Sequence, residues 1–137
     1  MRLAVWAGLF YSGRSLYEHR DSLGYNEKYR KQLKRACGLQ GFTVDHHLLP
    51  LSLKKHPMLF GVNMHGGQNL KIMPDHRAKH VDPSVQRHVP HPRYNRFVKM
   101  HLDALWFESD EEKRRYYLWL FVRWLDRALD VKGVVPF

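Results

Sequence analysis

The sequence predicts an α+β fold in which a small β-hairpin core is flanked by α-helices on its N-terminal and C-terminal sides. A short β-like run ends at a pair of histidines, and residues 70–73 begin with an apolar–polar–apolar alternation, as a return strand does. Residues 94–105 and 118–129 carry apolar side chains at helical spacing. The length of 137 residues suits one domain with its own core.

The single domain, residues 1–137, divides into three parts by its sequence pattern. Residues 1–40 form a helical N-terminal extension, residues 42–100 contain the hairpin, and residues 109–131 form a C-terminal amphipathic helix. The apolar start, residues 1–11, resembles the hydrophobic part of a secretory signal but lacks a convincing small-residue cleavage site. We interpret it as a segment that packs on the core.

The first helix and the first strand follow one another closely. Asn26 is a candidate cap for a helix over residues 27–37, in which Tyr29 should face the core. Gly38 stops that helix, because glycine commonly follows a helix end. The β-like run at residues 42–44 then leads to the histidine pair.

The helix after the hairpin begins at a proline. Residues 74–90 hold three prolines and no periodicity, so we expect a loop there that can include a short helix. Proline favours the first helical position, which makes Pro92 the opening residue and places His91 at the N-cap. The helical spacing continues to about Trp106.

The last helix carries an unusually broad apolar stripe. Ser109 and Glu112 have the spacing of a capping box and predict its start, and the pattern continues to about Asp130. A stripe this broad needs two packing partners. We expect the N-terminal segment to cover its second side; the alternative is a homodimer or another partner surface.

The charge balance favours a polyanionic partner. Lysine and arginine outnumber aspartate and glutamate by 23 to 13, giving a formal net charge of +10. Such an excess suits DNA, RNA or an anionic membrane. The candidate nucleic-acid contacts crowd one segment: Lys28, Arg30, Lys31, Lys34 and Arg35. The single cysteine, Cys37, excludes a disulfide framework and a cysteine zinc site within one chain.

Histidines mark the candidate active site. Eight of the ten lie between His46 and His91. Neutral imidazole both binds metals and moves protons near neutral pH. Adjacent residues of a strand point to opposite faces, so His46 could hold a metal while His47 faces a water or a substrate, provided that the strand is bent or opens into a loop.

The order of these segments resembles the HNH/endonuclease VII superfamily of nucleases, whose fold is the ββα-metal motif. The resemblance is carried by FTVDHHLLP at residues 42–50, HP at 56–57, NL at 69–70 and HPRYN at 91–95. Within this superfamily, the sequence is most similar to the branch whose signature is His-His followed later by His-Pro-x-Tyr-Asn. That branch is common in bacterial toxin nuclease domains. The resemblance covers roughly residues 42–100, and the flanks match nothing known to us.

The resemblance implies a role for each matching residue. His46 would be a metal ligand, and His47 would be the general base for the water that attacks the phosphate. Asn69 would fix the base and the hairpin through hydrogen bonds, and His91 would be the ligand at the helix start. Arg93 lies close enough in sequence to contact a phosphate, whereas packing is the simplest role for the Tyr-Asn pair that follows.

The remaining metal ligand is open. The family usually brings two helix-region ligands four residues apart, whereas His88 and His91 are three apart. We favour His88 beside His91, and the pair His76 and His80 is the alternative if that segment is helical. The resemblance implies one divalent metal ion, with Mg²⁺ first and Mn²⁺, Zn²⁺ or Ni²⁺ as alternatives. Asp45 is a further candidate ligand or partner of a ligand.

The leading hypothesis is therefore a metal-dependent endonuclease that hydrolyses phosphodiester bonds of DNA, with RNA as the alternative substrate, and with low sequence specificity. No recognition module such as a helix-turn-helix is evident. The alternative is an inactive or structural nucleic-acid-binding protein of the same fold in a ribonucleoprotein or virion. A third hypothesis is a histidine-rich metal-binding protein.

The resemblance and the composition also bear on partners and localisation. A toxin-type nuclease should need an acidic inhibitor protein in the producing cell. We expect no membrane partner, because the apolar run at residues 116–122 is too short to span a bilayer. We expect a cytoplasmic protein, or one delivered to the cytoplasm of a target cell.

Overall fold

The computed structural model describes residues 24–75, 77 and 92–132, with side chains up to residue 129. The fold is α+β, as the sequence predicts. Its regular elements are α1 (Lys28–Ala36), β1 (Thr43–His47), β2 (Leu70–Pro74), α2 (Pro92–Leu105) and α3 (Glu111–Lys132). Three 3₁₀ turns occur at Leu51–Leu53, Pro57–Leu59 and Gly67–Asn69. The predicted packing of residues 1–11 lies outside the described residues.

The described residues form two compact units. The first contains residues 24–47 together with 65–75 and 77, and the second contains residues 48–64 together with 92–132. The first unit therefore holds α1 and both strands, and the second holds α2 and α3.

In the first unit, β1 and β2 form the predicted antiparallel hairpin. Thr43 pairs with Pro74 at one end, and His47 pairs with Leu70 at the other. The core beneath the hairpin contains the buried residues Leu39 and Ile72, against which the side chains of Leu33, Cys37 and Phe42 pack.

Helix α1 differs from the prediction at its start and on its core face. Asn26 does not cap it: Asn26 has a φ of 62°, in the left-handed region that asparagine tolerates, and Glu27 is the residue before the first turn. The prediction that Tyr29 faces the core is wrong, because its side chain is 62 % exposed. The next residue, Arg30, is the buried one.

The end of α1 matches the prediction. Gly38 has a φ of 69°, a conformation that costs glycine little. The turn is closed by backbone hydrogen bonds from the Gly38 N–H to the Arg35 carbonyl and from the Leu39 N–H to the Lys34 carbonyl. The hydroxyl of Thr43 donates to the Leu39 carbonyl at 2.7 Å, which ties the start of β1 to this turn.

In the second unit, α2 packs on α3 and on the first two 3₁₀ turns. Tyr94, Val98 and Leu102 are buried at four-residue spacing along α2. The buried stripe of α3 consists of Leu118, Phe121, Val122, Leu125 and Leu129. None of the helices in the described part of the chain is long and apolar enough to cross a membrane.

The start of α3 uses a different cap from the predicted one. The carboxylate of Asp110 accepts a hydrogen bond from the Lys113 N–H at 3.2 Å, which is the pattern of an N-cap residue. Ser109 is exposed. The N-cap is therefore Asp110 rather than the predicted Ser109, and the predicted capping box is wrong, because the residue three positions after Asp110 is Lys113 and not a glutamate or glutamine.

Candidate active site

The two adjacent histidines end β1 and have different surroundings. Because side chains alternate along a strand, His46 and His47 point to opposite faces of the hairpin. His46 is 2 % exposed, and its cross-strand partner is Lys71. His47 is half-buried. One imidazole is thus held inside the unit, and the other can be reached from solvent.

His47 is paired with a histidine that the sequence analysis missed. The Nε2 atom of His47 lies 3.2 Å from Nδ1 of His65, and the two rings meet edge to face with centroids 5.2 Å apart. The ring of Tyr25 lies 5.4 Å from the ring of His47 and 5.6 Å from the ring of His65. His65 lies in the glycine-rich turn region before β2, where no motif distinguishes it.

The backbone holds His65 in place. The N–H of Tyr25 donates to the His65 carbonyl oxygen at 2.8 Å. A Cβ atom on Gly24 would lie only 2.9 Å from the same oxygen, so the close approach of the two segments requires glycine at this position. The segment before α1 thus positions the histidine that contacts His47.

These surroundings favour neutral His47. Burial lowers the pKa of its imidazole, and the neighbouring His65 lowers it further. The carboxylate of Asp45 acts in the opposite direction without reversing the shift. The ring can therefore accept a proton near neutral pH.

Asp45 forms an ion-pair cluster with two residues of α1. Its Oδ1 atom lies 2.7 Å from Nη2 of Arg30 and 3.0 Å from Nζ of Lys34. Burial raises the pKa of the Asp45 carboxyl, but the hydrogen bonds and charges of the two cations outweigh it, so the pKa lies below its ordinary value. The carboxylate is engaged by these cations, which argues against Asp45 as a metal ligand.

The same cluster corrects part of the predicted nucleic-acid surface. Arg30 is 1 % exposed, so its guanidinium serves Asp45 and does not reach a phosphate outside the protein. Lys34 is half-buried in the same cluster. Lys28, Lys31 and Arg35 remain exposed on α1.

Asn69 and Arg93 lie in different units. Asn69 is fully buried at the end of the third 3₁₀ turn and directly precedes Leu70, the cross-strand partner of His47. Arg93 is exposed in the first turn of α2. The structure thus places the predicted asparagine beside the histidine pair in the hairpin, and Arg93 on the surface of the second unit.

The described residues account for only part of the predicted metal site. His76, His80, His88 and His91 all lie outside them. Within residues 24–75, 77 and 92–132, no group of three histidine, cysteine, aspartate or glutamate side chains could hold a metal ion. The imidazole of His46 has the right chemistry for one ligand. The other ligands would have to come from the histidines between residues 76 and 91.

Tyr94, in the motif that suggested the family, has a structural role. Its side chain is fully buried, and its hydroxyl donates to the Leu48 carbonyl at 2.6 Å. Burial raises the pKa of the phenol well above its ordinary value, and the charge of Asp126 adds to the effect. This supports the packing role that we predicted for Tyr94.

His56 also has a structural role. Its Nδ1 atom accepts a hydrogen bond from the Met58 N–H at 3.1 Å, so the ring proton belongs on Nε2. Nε2 then donates to Asp103 at 2.8 Å. Both ring nitrogens of His56 are therefore used to cap a 3₁₀ turn and attach it to α2.

Comparison with known proteins adds no relative. No protein-family model, no curated protein and no solved structure matches the chain.

Proposed function

We propose that this protein is a metal-dependent endonuclease that hydrolyses phosphodiester bonds of DNA, with RNA as the alternative substrate, and with low sequence specificity. The observation that carries the proposal is the side chain of His47: half-exposed, favoured in its neutral form, and bonded at one ring nitrogen to His65. A general base needs an oriented neutral ring that a water molecule can reach.

The histidine pair suggests which nitrogen acts as the base. Only one hydrogen can lie between Nε2 of His47 and Nδ1 of His65. We assign it to His47, so that Nε2 donates and His65 accepts. Nδ1 of His47 then keeps a lone pair that can take a proton from water, and the water oxygen attacks phosphorus as the bond to the leaving oxygen breaks. His65 acts in this scheme as a positioning residue.

His46 would hold the divalent cation near the end of β1, which opens into a bend directly after His47. The partners that we favour are His91 and His88, with the pair His76 and His80 as the alternative. When bound, such a cation supplies positive charge that neutralises the scissile phosphate and stabilises the leaving oxygen. The buried position of His46 supports this role, because a ligand held rigidly by a strand keeps its geometry.

Non-specific binding would come from exposed cations. Four exposed side chains can approach phosphates: Lys28, Lys31 and Arg35 on α1, and Arg93 on α2. Contacts to phosphates carry affinity but no sequence information. This supports cleavage with low specificity.

The test is plasmid cleavage by the full chain with Mg²⁺, Mn²⁺, Zn²⁺, Ni²⁺ or EDTA. We expect metal-dependent nicking that falls by about 10²–10⁴-fold in His47→Ala, because general base catalysis typically contributes that much. DNA binding and the circular dichroism spectrum should be unchanged. The matched control is His101→Ala, which removes an exposed histidine of α2.

Two results would contradict the proposal. If His47→Ala nicks plasmid at the rate of the unsubstituted protein, His47 is not the general base. Tight DNA binding without cleavage under any metal would favour the alternative, a structural nucleic-acid-binding protein.

A further inference from the structure

The surface of α3 opposite its buried stripe combines apolar and basic side chains. This outer face consists of Lys113, Tyr116, Tyr117, Leu120, Arg123, Trp124 and Arg127, all of them exposed. Residues 113–127 are all described, and none of the exposed ones carries a carboxylate. The one acidic residue in this range, Asp126, is half-buried on the flank of the helix.

The centre of the outer face is apolar. Tyr116, Leu120 and Trp124 follow one another at four-residue spacing, with exposed fractions of 63 %, 42 % and 50 %. A contiguous exposed apolar stripe marks an interaction site more often than an isolated exposed side chain does. Tryptophan, tyrosine and arginine are also the residues that contribute most to protein–protein binding energy.

Trp124 is supported from behind. Its ring lies 5.8 Å from the ring of Phe97 on α2 and 6.3 Å from the ring of Phe121, which is buried. A half-exposed aromatic ring held by two others loses little conformational entropy when a partner covers it. The structure therefore presents Trp124 as a prearranged anchor.

The charges of the outer face indicate the chemistry of the partner. Lys113 and Arg127 lie about 21 Å apart along the helix axis, at 1.5 Å per residue. They bracket the apolar stripe, and Arg123 borders it. A complementary surface would have an apolar stripe of the same length with carboxylates near both ends, which is what a helix of about 14 residues can present. We infer that the outer face of α3 binds an acidic amphipathic helix of another protein.

The N-terminal segment, which we expected on this side of the helix, has three arginines against two acidic residues in positions 1–23, so its charge does not complement the outer face. Two other occupants also fit less well. If a second copy packed antiparallel with Leu120 facing Leu120, each Lys113 would lie opposite an Arg127, and like charges would repel. Duplex DNA could pair with the cations, but its bases are stacked inside the double helix and leave no apolar surface to cover Leu120. A single strand could stack bases on Tyr116 and Trp124, and the test below therefore includes one. The inference does not depend on the nuclease proposal, because it uses no residue of the hairpin.

The test uses two designed helical peptides of 16 residues, labelled for fluorescence anisotropy. Both carry leucines at helical spacing; one has glutamates beside the stripe and the other has lysines at the same positions. We expect the acidic peptide alone to bind the full chain at concentrations up to about 1 mM, the range of weak association. Leu120→Ser should weaken that binding about tenfold or more, as loss of a central contact does.

A pair of charge variants separates the outer face from overall charge. The first double variant combines Lys113→Glu with Arg127→Glu, and the second combines Lys54→Glu with Lys55→Glu. Both change the net charge equally, but Lys54 and Lys55 lie on a separate exposed turn. Only the first double variant should fail to bind the acidic peptide. Equal losses in both, or no binding of the acidic peptide, would overturn the inference.

Two further ligands cover other anionic partners: a single-stranded 15-mer DNA and vesicles of phosphatidylglycerol. If either binds through Lys113 and Arg127 while the acidic peptide does not, the occupant is not a protein helix and the inference fails. If sedimentation shows a dimer that Leu120→Ser dissociates, the face is occupied by a second copy, which also overturns it.

Discussion

Nε2 of His47 and Nδ1 of His65 are 3.2 Å apart, although the residues are 18 positions apart in sequence. The end of a strand holds the first imidazole. The second is held through its backbone carbonyl by Tyr25, which belongs to the segment before α1. Three separate parts of the chain therefore fix the orientation of the ring that we assign as the general base.

Removing the second imidazole should slow cleavage without weakening DNA binding. In His65→Ala, His47 loses the acceptor that sets its tautomer, and we expect the rate to fall by up to about 10²-fold, the typical effect of a misplaced catalytic group. His65→Asn keeps a side-chain acceptor and should restore part of the rate. A His65→Asn variant as slow as His65→Ala would show that the hydrogen bond does not matter.

Adding a methyl group at Gly24 should disturb the same histidine from the backbone. The new Cβ would approach the His65 carbonyl oxygen to 2.9 Å, so this oxygen or the segment carrying Gly24 must shift. We expect Gly24→Ala to lower the cleavage rate. The double variant with His65→Ala should be no slower than His65→Ala alone, because coupled sites are not additive. Additive losses would place the effect elsewhere.

Tyr94→Phe should destabilise the second unit. The substitution leaves the Leu48 carbonyl without the buried hydroxyl that donates to it, at 2.6 Å. An unsatisfied buried group costs about 1–3 kcal/mol, and the free energy of unfolding in urea should fall by that amount. Tyr117→Phe, which removes an exposed hydroxyl, is the control. A loss in cleavage with no loss in stability would instead indicate that the phenol acts in catalysis.

The contact between His56 and Asp103 should make stability depend on pH in the acid range. The hydrogen bond from His56, followed by the contact with Lys99, lowers the pKa of the Asp103 carboxyl. A carboxylate with a lowered pKa stabilises the folded state fully above its unfolded pKa, about 3.9, and loses this contribution as the pH falls through its folded pKa.

Asp103→Asn should therefore lower the urea midpoint at pH 7. The difference from the unsubstituted protein should shrink once the pH falls below about 4 and should vanish only below the lowered pKa of the folded state. A deficit in Asp103→Asn that persists unchanged at low pH would mean that charge is not the cause.

The local pattern of the sequence was sufficient to predict the helices and strands. Alternation predicted the return strand, Pro92 predicted the start of α2, and the spacing of apolar residues predicted α3. These features depend on residues within a few positions of one another, where backbone periodicity and capping act. Even the errors at Asn26 and Ser109 displaced a helix start by only one residue.

Contacts between segments that are distant in sequence could not be predicted from this local pattern. Burial of Arg30 requires Asp45, which lies 15 residues away on β1. A basic residue in a run of basic residues is expected on the surface, and nothing in that run singles out one member for burial. His65 was missed for the same reason, since only the folded hairpin brings it to His47.

The ion pairs of Asp45 also change what α1 can contribute to DNA binding. Five basic residues lie between positions 28 and 35, but Arg30 and Lys34 are engaged by Asp45, which leaves three exposed. Each phosphate neutralised on duplex DNA releases counterions, so the logarithm of affinity falls with the logarithm of salt concentration at a slope of about −0.9 per contact. The share of this slope due to α1 should be about −2.7, for three contacts, where five would give about −4.5.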